Sequence, residues 1–266
     1  MNKMNKTVAG MVTLGVLLFP GVASANDKHD TGPTPTANST DTKGRTDVRK
    51  TNVSVKDQAS FDEVKAKCVK AITDRQASLD KAAAKVAKSP DPHDAALNTI
   101  ITDSKTALTA LQTQIEADTD LTALKADCQR VVTDLRIYAL RLPQINLVMS
   151  IDRLDASLVK FGTLHDQLVA AIAAANTAGD PDAANAAALL TKLEAKLASA
   201  KTKLDGIDVD ALLAITPADY NANKNVLKPY LQAVRSANSD VRDAAQLARH
   251  IAKLLEPGAD TDEHQG

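Results

Sequence analysis

The 266-residue chain has no tryptophan, three tyrosines and three phenylalanines, so aromatic residues make up only 2% of it. Enzyme clefts and sugar-binding grooves usually have aromatic or convergent polar walls, so this scarcity weighs against a carbohydrate-binding module. The sequence also contains no G-x-S-x-G, H-E-x-x-H, P-loop or G-x-G-x-x-G motif. These absences are modest evidence against an enzyme.

The chain also lacks an excess of charge of either sign. It has 32 Lys and Arg residues against 33 Asp and Glu residues, and its formal net charge is −1 at pH 7. A nucleic-acid-binding protein normally has a clustered basic surface, so no nucleic-acid partner is expected. Only five of the acidic residues are glutamate and 28 are aspartate. Because aspartate favours helix caps over helix interiors, many of these residues are predicted at helix starts and turns.

A long apolar run occurs only near the N-terminus. Lys3 and Lys6 precede an apolar segment at 8–19, and Ala23-Ser24-Ala25 follows with the small-residue spacing of a cleavage site. Residues 1–25 are therefore predicted to be a signal peptide, with a mature chain that begins at Asn26. No later stretch is apolar enough to span a membrane. We expect a protein that is secreted, or associated with the cell surface by non-covalent contacts.

Two further segments are too polar to form a core. Residues 26–59 are rich in Thr, Asp, Asn, Lys, Pro and Gly, with isolated hydrophobic residues. Such a composition cannot bury enough apolar surface to offset the entropy of ordering the chain. We predict a disordered linker at 26–59 and a disordered tail at 256–266.

Between these segments, apolar residues recur at spacings of three and four, which is typical of helices. Ser60 begins an S-x-x-E capping box and is predicted to start the first helix. Asp91 and Asp120 are predicted to cap the second and third helices. Pro143 interrupts a pattern that resumes at once, so a kink or short break is expected there. The sequence predicts an all-α fold of two antiparallel, coiled-coil-like three-helix bundles, 60–142 and 144–255, joined at the Pro143 kink.

The only two cysteines, Cys68 and Cys128, each lie eight residues after a predicted helix start. If the first and third helices of an up-down-up bundle are parallel, the two sulfur atoms lie at one level. Two cysteines of an exported protein usually pair in an oxidising compartment. We predict a Cys68–Cys128 disulfide, and two buried free thiols are the alternative.

No metal site, cofactor or catalytic residue is predicted. None of the five histidines lies three or four residues from another histidine or a cysteine, as metal ligands on a helix would. Asp205, Asp208 and Asp210 do not match the spacing of a calcium loop, and caps or turns explain them better. His165 is interpreted as a polar residue at the edge of the bundle, with a pH switch as the alternative.

The densest group of distinctive residues is the segment 133–143, TDLRIYALRLP. Its Arg136, Tyr138 and Arg141 are a candidate binding patch; alternatively, Tyr138 packs at a kinked junction and the arginines are solvated. This segment, with Asp152 beyond it, resembles secreted helical proteins of actinobacteria over about residues 60–160. The resemblance implies an exported, coiled-coil-like protein of a Gram-positive bacterium and implies no activity.

Two classes of function agree with these observations. The first is a non-catalytic extracellular or envelope-associated structural or binding module. Its partner would be another helical protein, a cell-wall polymer or a host protein. The alternative is an enzyme, or an accessory subunit of one, with a site at the inter-bundle junction near Pro143. That alternative requires Arg136, Arg141 and an acidic residue to converge in a cleft.

Overall fold

The computed structural model describes residues 49–88 and 91–256, and at residues 49–57 and 59 it describes the backbone alone. Every regular element in this part of the chain is helical, and the prediction of an all-α fold is confirmed for it. None of these helices is long and apolar enough to cross a membrane. The predicted signal peptide 1–25, the linker up to residue 48 and the tail from residue 257 lie outside the described residues.

The described part of the chain forms eight α-helices and one short π-helix. Their bounds are α1 Arg49–Val86, α2 Asp94–Ala117, α3 Leu121–Thr133, the π-helix Ile137–Arg141, α4 Leu142–Ala178, α5 Ala183–Asp205, α6 Val209–Ala214, α7 Pro217–Ala222 and α8 Lys228–Leu254.

Several boundaries follow from local sequence signals. Asp120 caps α3, because its carboxylate accepts a hydrogen bond of 2.8 Å from the Ala123 backbone N–H. Thr216 and Asp219 form a capping box at the start of α7. Gly179 ends α4 with φ 73°, a left-handed conformation that glycine adopts without steric cost.

Two predicted helix starts are wrong. Helix α1 begins at Arg49, ahead of Ser60, so residues 49–59 of the predicted linker are helical and the S-x-x-E pattern lies inside the helix. No glycine or proline between Arg49 and Ser60 interrupts the backbone. Helix α2 begins at Asp94, and Asp91 does not cap it: its backbone N–H instead donates to the Asp94 carboxylate at 3.0 Å.

Helices α1, α2 and α3 pack against one another. Lys65 in the middle of α1 donates to the Glu116 carbonyl at the end of α2, at 2.7 Å. Asp80, further along α1, pairs at 2.5 Å with Lys105, which lies earlier in α2. Because the partners run in opposite order, α1 and α2 are antiparallel.

Helices α4, α5 and α8 form a second set of mutual contacts. His165 on α4 bonds Glu194 on α5 at 2.8 Å, and Lys196 on α5 pairs with Asp243 on α8 at 2.7 Å. The seam between α5 and α8 is lined by small residues, which let two helices approach closely. The buried alanines of these two helices are Ala183, Ala186, Ala200, Ala237, Ala244, Ala245 and Ala248.

Asp240 is the buried acid of the α5–α8 seam, with 7% of its surface exposed. Its carboxylate accepts hydrogen bonds from Lys196 at 3.2 Å, from Ser199 at 2.8 Å and from Lys203. Burial alone would raise the pKa of Asp240, but these hydrogen bonds outweigh it and lower the pKa to about 2. The charge helps to fix the register of α8, because a slip along α5 would leave a buried carboxylate unpaired.

The two sets of helices share one core. Their buried apolar side chains form a single contiguous cluster, α4 also contacts α1, and all eight α-helices belong to one compact unit. The most deeply buried large side chains come from both sets, among them Ile72 and Leu108 from the first and Phe161 and Leu193 from the second. Each set makes most of its contacts within itself, but neither has a separate core.

The predicted break at Pro143 lies in the wrong place. Helix α3 ends at Thr133, and the chain turns at Arg136 rather than continuing as a helix to Leu142. In the π-helix that follows, the Arg141 N–H donates to the Arg136 carbonyl, five residues back. This wide turn leads directly into α4, whose first turn contains Pro143. Pro143 is accommodated there because its missing N–H is not needed at a helix start.

The structure places Cys68 of α1 and Cys128 of α3 in a disulfide, with Cα atoms 5.5 Å apart. Further along, Tyr138 contacts Ser78 of α1. Residue numbers thus increase from Cys68 to Ser78 on α1 as they increase from Cys128 to Tyr138 on the other side of the contact, as expected for segments that run parallel.

Replacing Cys68 and Cys128 together by serine should lower the free energy of unfolding by about 4 kcal/mol, because the bond closes a loop across a sequence separation of 60. Urea denaturation of the wild type and of the double variant, each with and without reductant, measures this difference. Reductant should destabilise the wild type alone. Two alkylatable thiols in the intact mass of the unreduced native protein would contradict the bond.

Candidate functional site

Arg136, at the turn between α3 and the π-helix, has an unusual backbone. Its φ is 46° and its ψ is 37°, and it is the one non-glycine residue with positive φ in the part of the chain that the structure describes. Such a conformation costs on the order of 1–3 kcal/mol and persists only where surrounding contacts hold it. Residues of this kind cluster at functional sites, so the contacts of Arg136 identify the first candidate region.

Arg136 is held by α7. Its Nε donates to Asn221 Oδ1 at 2.6 Å, and its guanidinium carbon lies 5.8 Å from the centroid of the Tyr220 ring. Asn221 Nδ2 in turn donates at 2.8 Å to the Thr133 carbonyl, in the last turn of α3. One amide side chain therefore joins α7 to both the end of α3 and the turn that follows it.

A second cation lies on the same aromatic ring. Lys224 Nζ is 4.8 Å from the Tyr220 centroid and donates at 2.9 Å to the same Asn221 Oδ1 that accepts from Arg136. The distance between Arg136 Nε and Lys224 Nζ therefore cannot exceed the sum of the lengths of these two hydrogen bonds. Desolvation, and then the charge of Arg136, lowers the pKa of Lys224. We call Arg136, Tyr220, Asn221 and Lys224 the Tyr220 cluster.

The acids near the Tyr220 cluster have other partners. The Asp134 carboxylate accepts a hydrogen bond from Arg130 at 3.0 Å, and its pKa is lowered first by its hydrogen bond with Thr133, then by Arg130, and least by the charge of Arg136. Asp219 completes the capping box of α7. Among the side chains that the structure describes, neither Arg136 nor Lys224 has an ion-pair partner. The cluster therefore has two adjacent positive charges that form no ion pair with these residues.

Tyr138 has 45% of its surface exposed and faces α1. The guanidinium carbon of Arg75 lies 4.9 Å from its ring centroid, and its hydroxyl oxygen lies 3.3 Å from Ser78 Oγ. Cation–π contacts of this kind stabilise the packing of two elements. Tyr138 thus attaches the π-helix to the middle of α1.

Arg141 and Gln144 form a buried polar connection to α6. Gln144 is fully buried, and its Nε2 donates to the carbonyls of Leu212 at 2.6 Å and Leu213 at 3.0 Å. Arg141 donates to Gln144 Oε1 at 3.0 Å and to the Ile215 carbonyl at 3.1 Å. Burial lowers the pKa of Arg141. These bonds satisfy the carbonyls that the end of α6 leaves free, so both side chains are structural.

The structure does not bring the three residues of the predicted patch together. Arg136 contacts α7, Tyr138 contacts α1, and Arg141 contacts the end of α6. Only Arg136 belongs to the Tyr220 cluster. Sequence reasoning missed the other members because their contacts join positions 85 residues apart. The local signal was weak: an aromatic residue within the polar segment DYNANKN at 219–225.

A second polar group joins the start of α2 to α4. Asp152 of α4 is 4% exposed, and its Oδ1 lies 2.6 Å from His93 Nδ1. Asp152 Oδ2, Asp91 Oδ2 and Asp94 Oδ1 are buried and have no hydrogen-bond partner among the described residues. Burial raises the pKa of Asp152, the bond with His93 opposes this rise, and the charges of Asp91 and Asp155 add to it.

The acids around Asp152 make this region electrostatically negative. Burial, and then the charge of Asp205, raises the pKa of Asp155, while Lys201 and His93 oppose the rise. In the described ranges, no group of three or more His, Cys, Asp or Glu residues is arranged to hold a metal ion. Proton uptake by Asp152 would therefore relieve repulsion among these carboxylates.

His165 is the other histidine paired with acids. Its ring bonds Glu194 at 2.8 Å and Asp166 at 3.2 Å, and its side chain is 30% exposed. The hydrogen bond of the His165 ring to the Glu194 carboxylate, and then the one to the Asp166 carboxylate, raise the pKa of His165. This position at the α4–α5 edge agrees with the interpretation of His165 as a polar residue at the edge of the fold.

No protein-family model, no curated protein and no solved structure matches the chain.

Gln144→Leu should lower the free energy of unfolding by about 2–3 kcal/mol, because a similarly sized apolar side chain leaves the Leu213 carbonyl without a described donor and the Leu212 carbonyl with only the 3.4 Å bond from the Ile215 N–H. The matched control is Gln167→Leu at an exposed position of the same helix. Urea denaturation compares the two variants. Equal stability of both would show that the Gln144 bonds contribute nothing net.

Asp152→Asn should change how stability depends on pH. A pKa raised in the folded state means that the folded protein binds the proton more tightly than the unfolded chain does. The stabilisation by protonated Asp152 is therefore complete below the unfolded pKa of about 3.9 and is lost as pH rises through the folded pKa.

Melting temperatures measured from about pH 3 to about pH 6 test this sign. The difference between Asp152→Asn and wild type should rise in favour of the variant as pH increases. If the melting temperature of the variant relative to wild type fell with increasing pH, the ionised form of Asp152 would be the stabilising one.

Proposed function

We propose that this protein is an exported, non-catalytic helical module that binds a partner through the Tyr220 cluster. The observation that carries the proposal is the strained Arg136, whose guanidinium is held on Tyr220 beside a second cation, with neither cation in an ion pair with a described residue. A strained residue, an aromatic ring and two uncompensated charges on a surface turn are features of a recognition site rather than of a core.

Two antiparallel three-helix bundles form the scaffold in this proposal. The contacts among α1, α2 and α3, and those among α4, α5 and α8, support it. The disulfide would rigidify the first bundle, and the alanine seam with Asp240 the second. The Tyr220 cluster joins α7 to the end of α3 and to the turn after it. A bound partner would therefore contact elements connected to both sets of helices.

Export is the second part of the proposal. The signal-peptide pattern at 1–25 and the Cys68–Cys128 bond support it, since disulfides persist in oxidising compartments. The proposed location is the medium or the cell surface of a Gram-positive bacterium. The partner would be a cell-wall polymer, another helical protein or a host protein.

The enzyme alternative has less support. It requires Arg136 and Arg141 to converge with an acid near Pro143. Arg136 instead contacts α7, and Arg141 is committed to Gln144 and to the end of α6. A binding module needs only the half-buried Arg136 and the exposed Lys224 of the Tyr220 cluster, which are present.

Retention on washed envelopes of the producing organism tests the proposal. The Arg136→Gln/Lys224→Gln variant should show a several-fold lower bound fraction than wild type, because both unpaired cations are lost. Lys160→Gln removes an exposed lysine on α4 and should bind like wild type. The mass of the secreted protein should also correspond to a chain that begins at Asn26.

Equal melting temperatures would establish that the double variant is folded. A folded double variant retained as well as wild type would refute the Tyr220 cluster as the binding surface.

A further inference from the structure

We propose that the Tyr220 cluster binds a phosphate group, free or as part of a polymer, between the Arg136 guanidinium and the Lys224 ammonium. This proposal rests on the proposed function, because it names the ligand class of the same surface. It follows from the free donors, the charge and the fixed geometry of four residues.

Both cations of the cluster have hydrogen-bond donors that are not used. Arg136 uses Nε to bond Asn221, and its two terminal nitrogens make no hydrogen bond with the described residues. Lys224 uses one of its three N–H groups for the same oxygen. The guanidinium presents a planar fork that matches phosphate oxygens, and the ammonium adds a point charge. A phosphate has enough terminal oxygens to accept from both side chains at once.

The positive charges of Arg136 and Lys224 lie close together. Two cations donate to one neutral acceptor, Asn221 Oδ1, and both lie near the ring of Tyr220. A phosphate monoester carries about −1.5 to −2 charges near neutral pH, which compensates both cations, whereas a phosphodiester or a carboxylate carries one. The lowered pKa of Lys224 reflects desolvation and the Arg136 charge, and a bound dianion would raise it.

The side chains of the cluster are preorganised by their contacts with one another. Asn221 cannot turn freely, because its Nδ2 donates to the Thr133 carbonyl while its Oδ1 accepts from both cations. Tyr220 lies beside both side chains and limits their rotation. Two long side chains are thus ordered before a ligand arrives, which reduces the entropy lost on binding.

The test is an NMR titration of the mature chain, residues 26–266, with inorganic phosphate, with bis(glycerol) phosphate diester and with acetate. The Asn221 side-chain amide and the Tyr220 ring report on the site. Phosphate should give saturable shifts at both. Acetate should bind about tenfold more weakly, because it compensates one charge and forms fewer charge-assisted bonds.

Matched variants locate the effect. Lys224→Gln, at an exposed position that does not form the strained turn, should weaken phosphate binding about fivefold through loss of one charged donor. Arg136→Gln should weaken it at least as much, and Lys160→Gln should leave it unchanged. Tighter binding of the diester than of inorganic phosphate would assign the site to a phosphodiester polymer, and the reverse order would assign it to free phosphate.

Two results would overturn the proposal: no saturable shift with either phosphate compound, or equal affinity for acetate and phosphate. Failure of this proposal is distinguishable from failure of the binding-module proposal. If phosphate does not bind but the double variant still loses envelope retention, the ligand class is wrong and the binding surface stands. If phosphate binds and retention does not change, the phosphate site stands and the envelope role fails.

Discussion

The hydrogen bonds of the Asn221 side chain set the course of the chain between the two sets of helices. One amide bonds the end of α3, the strained Arg136 and Lys224. Without these contacts the left-handed turn at Arg136 would be unfavourable, and the apolar pattern from Leu135 to Leu142 would favour a continuous helix. The direction of α4, and therefore the packing of α5 and α8 on it, follows from where this turn occurs.

Sequence reasoning succeeded where the determining interactions are local. The spacing of apolar residues predicted the helical fold, and Asp120 was predicted correctly as the cap of α3. The cysteine pair was also predicted correctly, although α1 begins at Arg49 and the offset from Ser60 used for it is therefore not an offset from a helix start. It placed the end of α3 wrongly, because the turn is fixed by a contact with Asn221 that is distant in sequence. Tyr220 and Lys224 were missed for the same reason, since spacing along one helix carries no information about partners on another.

Buried polar groups give specificity to a core that alanine and leucine alone would leave tolerant of slippage. Gln144 fixes α6 against α4, Asp152 joins α4 to the start of α2, and Asp240 sets the register of α8 on α5. Each lies at a contact between elements that are not adjacent in the helix order. An apolar replacement could pack at these positions, but it would not distinguish one register from the next. The polar residues thus select a single arrangement among several that bury similar areas.

The position of the disulfide has a mechanical consequence. Cys68 and Cys128 enclose the end of α1, all of α2 and the start of α3, across a sequence separation of 60. A fully extended chain of that length would span about 200 Å. If the protein were held at one end and pulled at the other, that length could not be drawn out while the bond is intact. The chain between the two cysteines would therefore act as a short, inextensible segment under load, and any extension would come from the parts of the chain outside this loop.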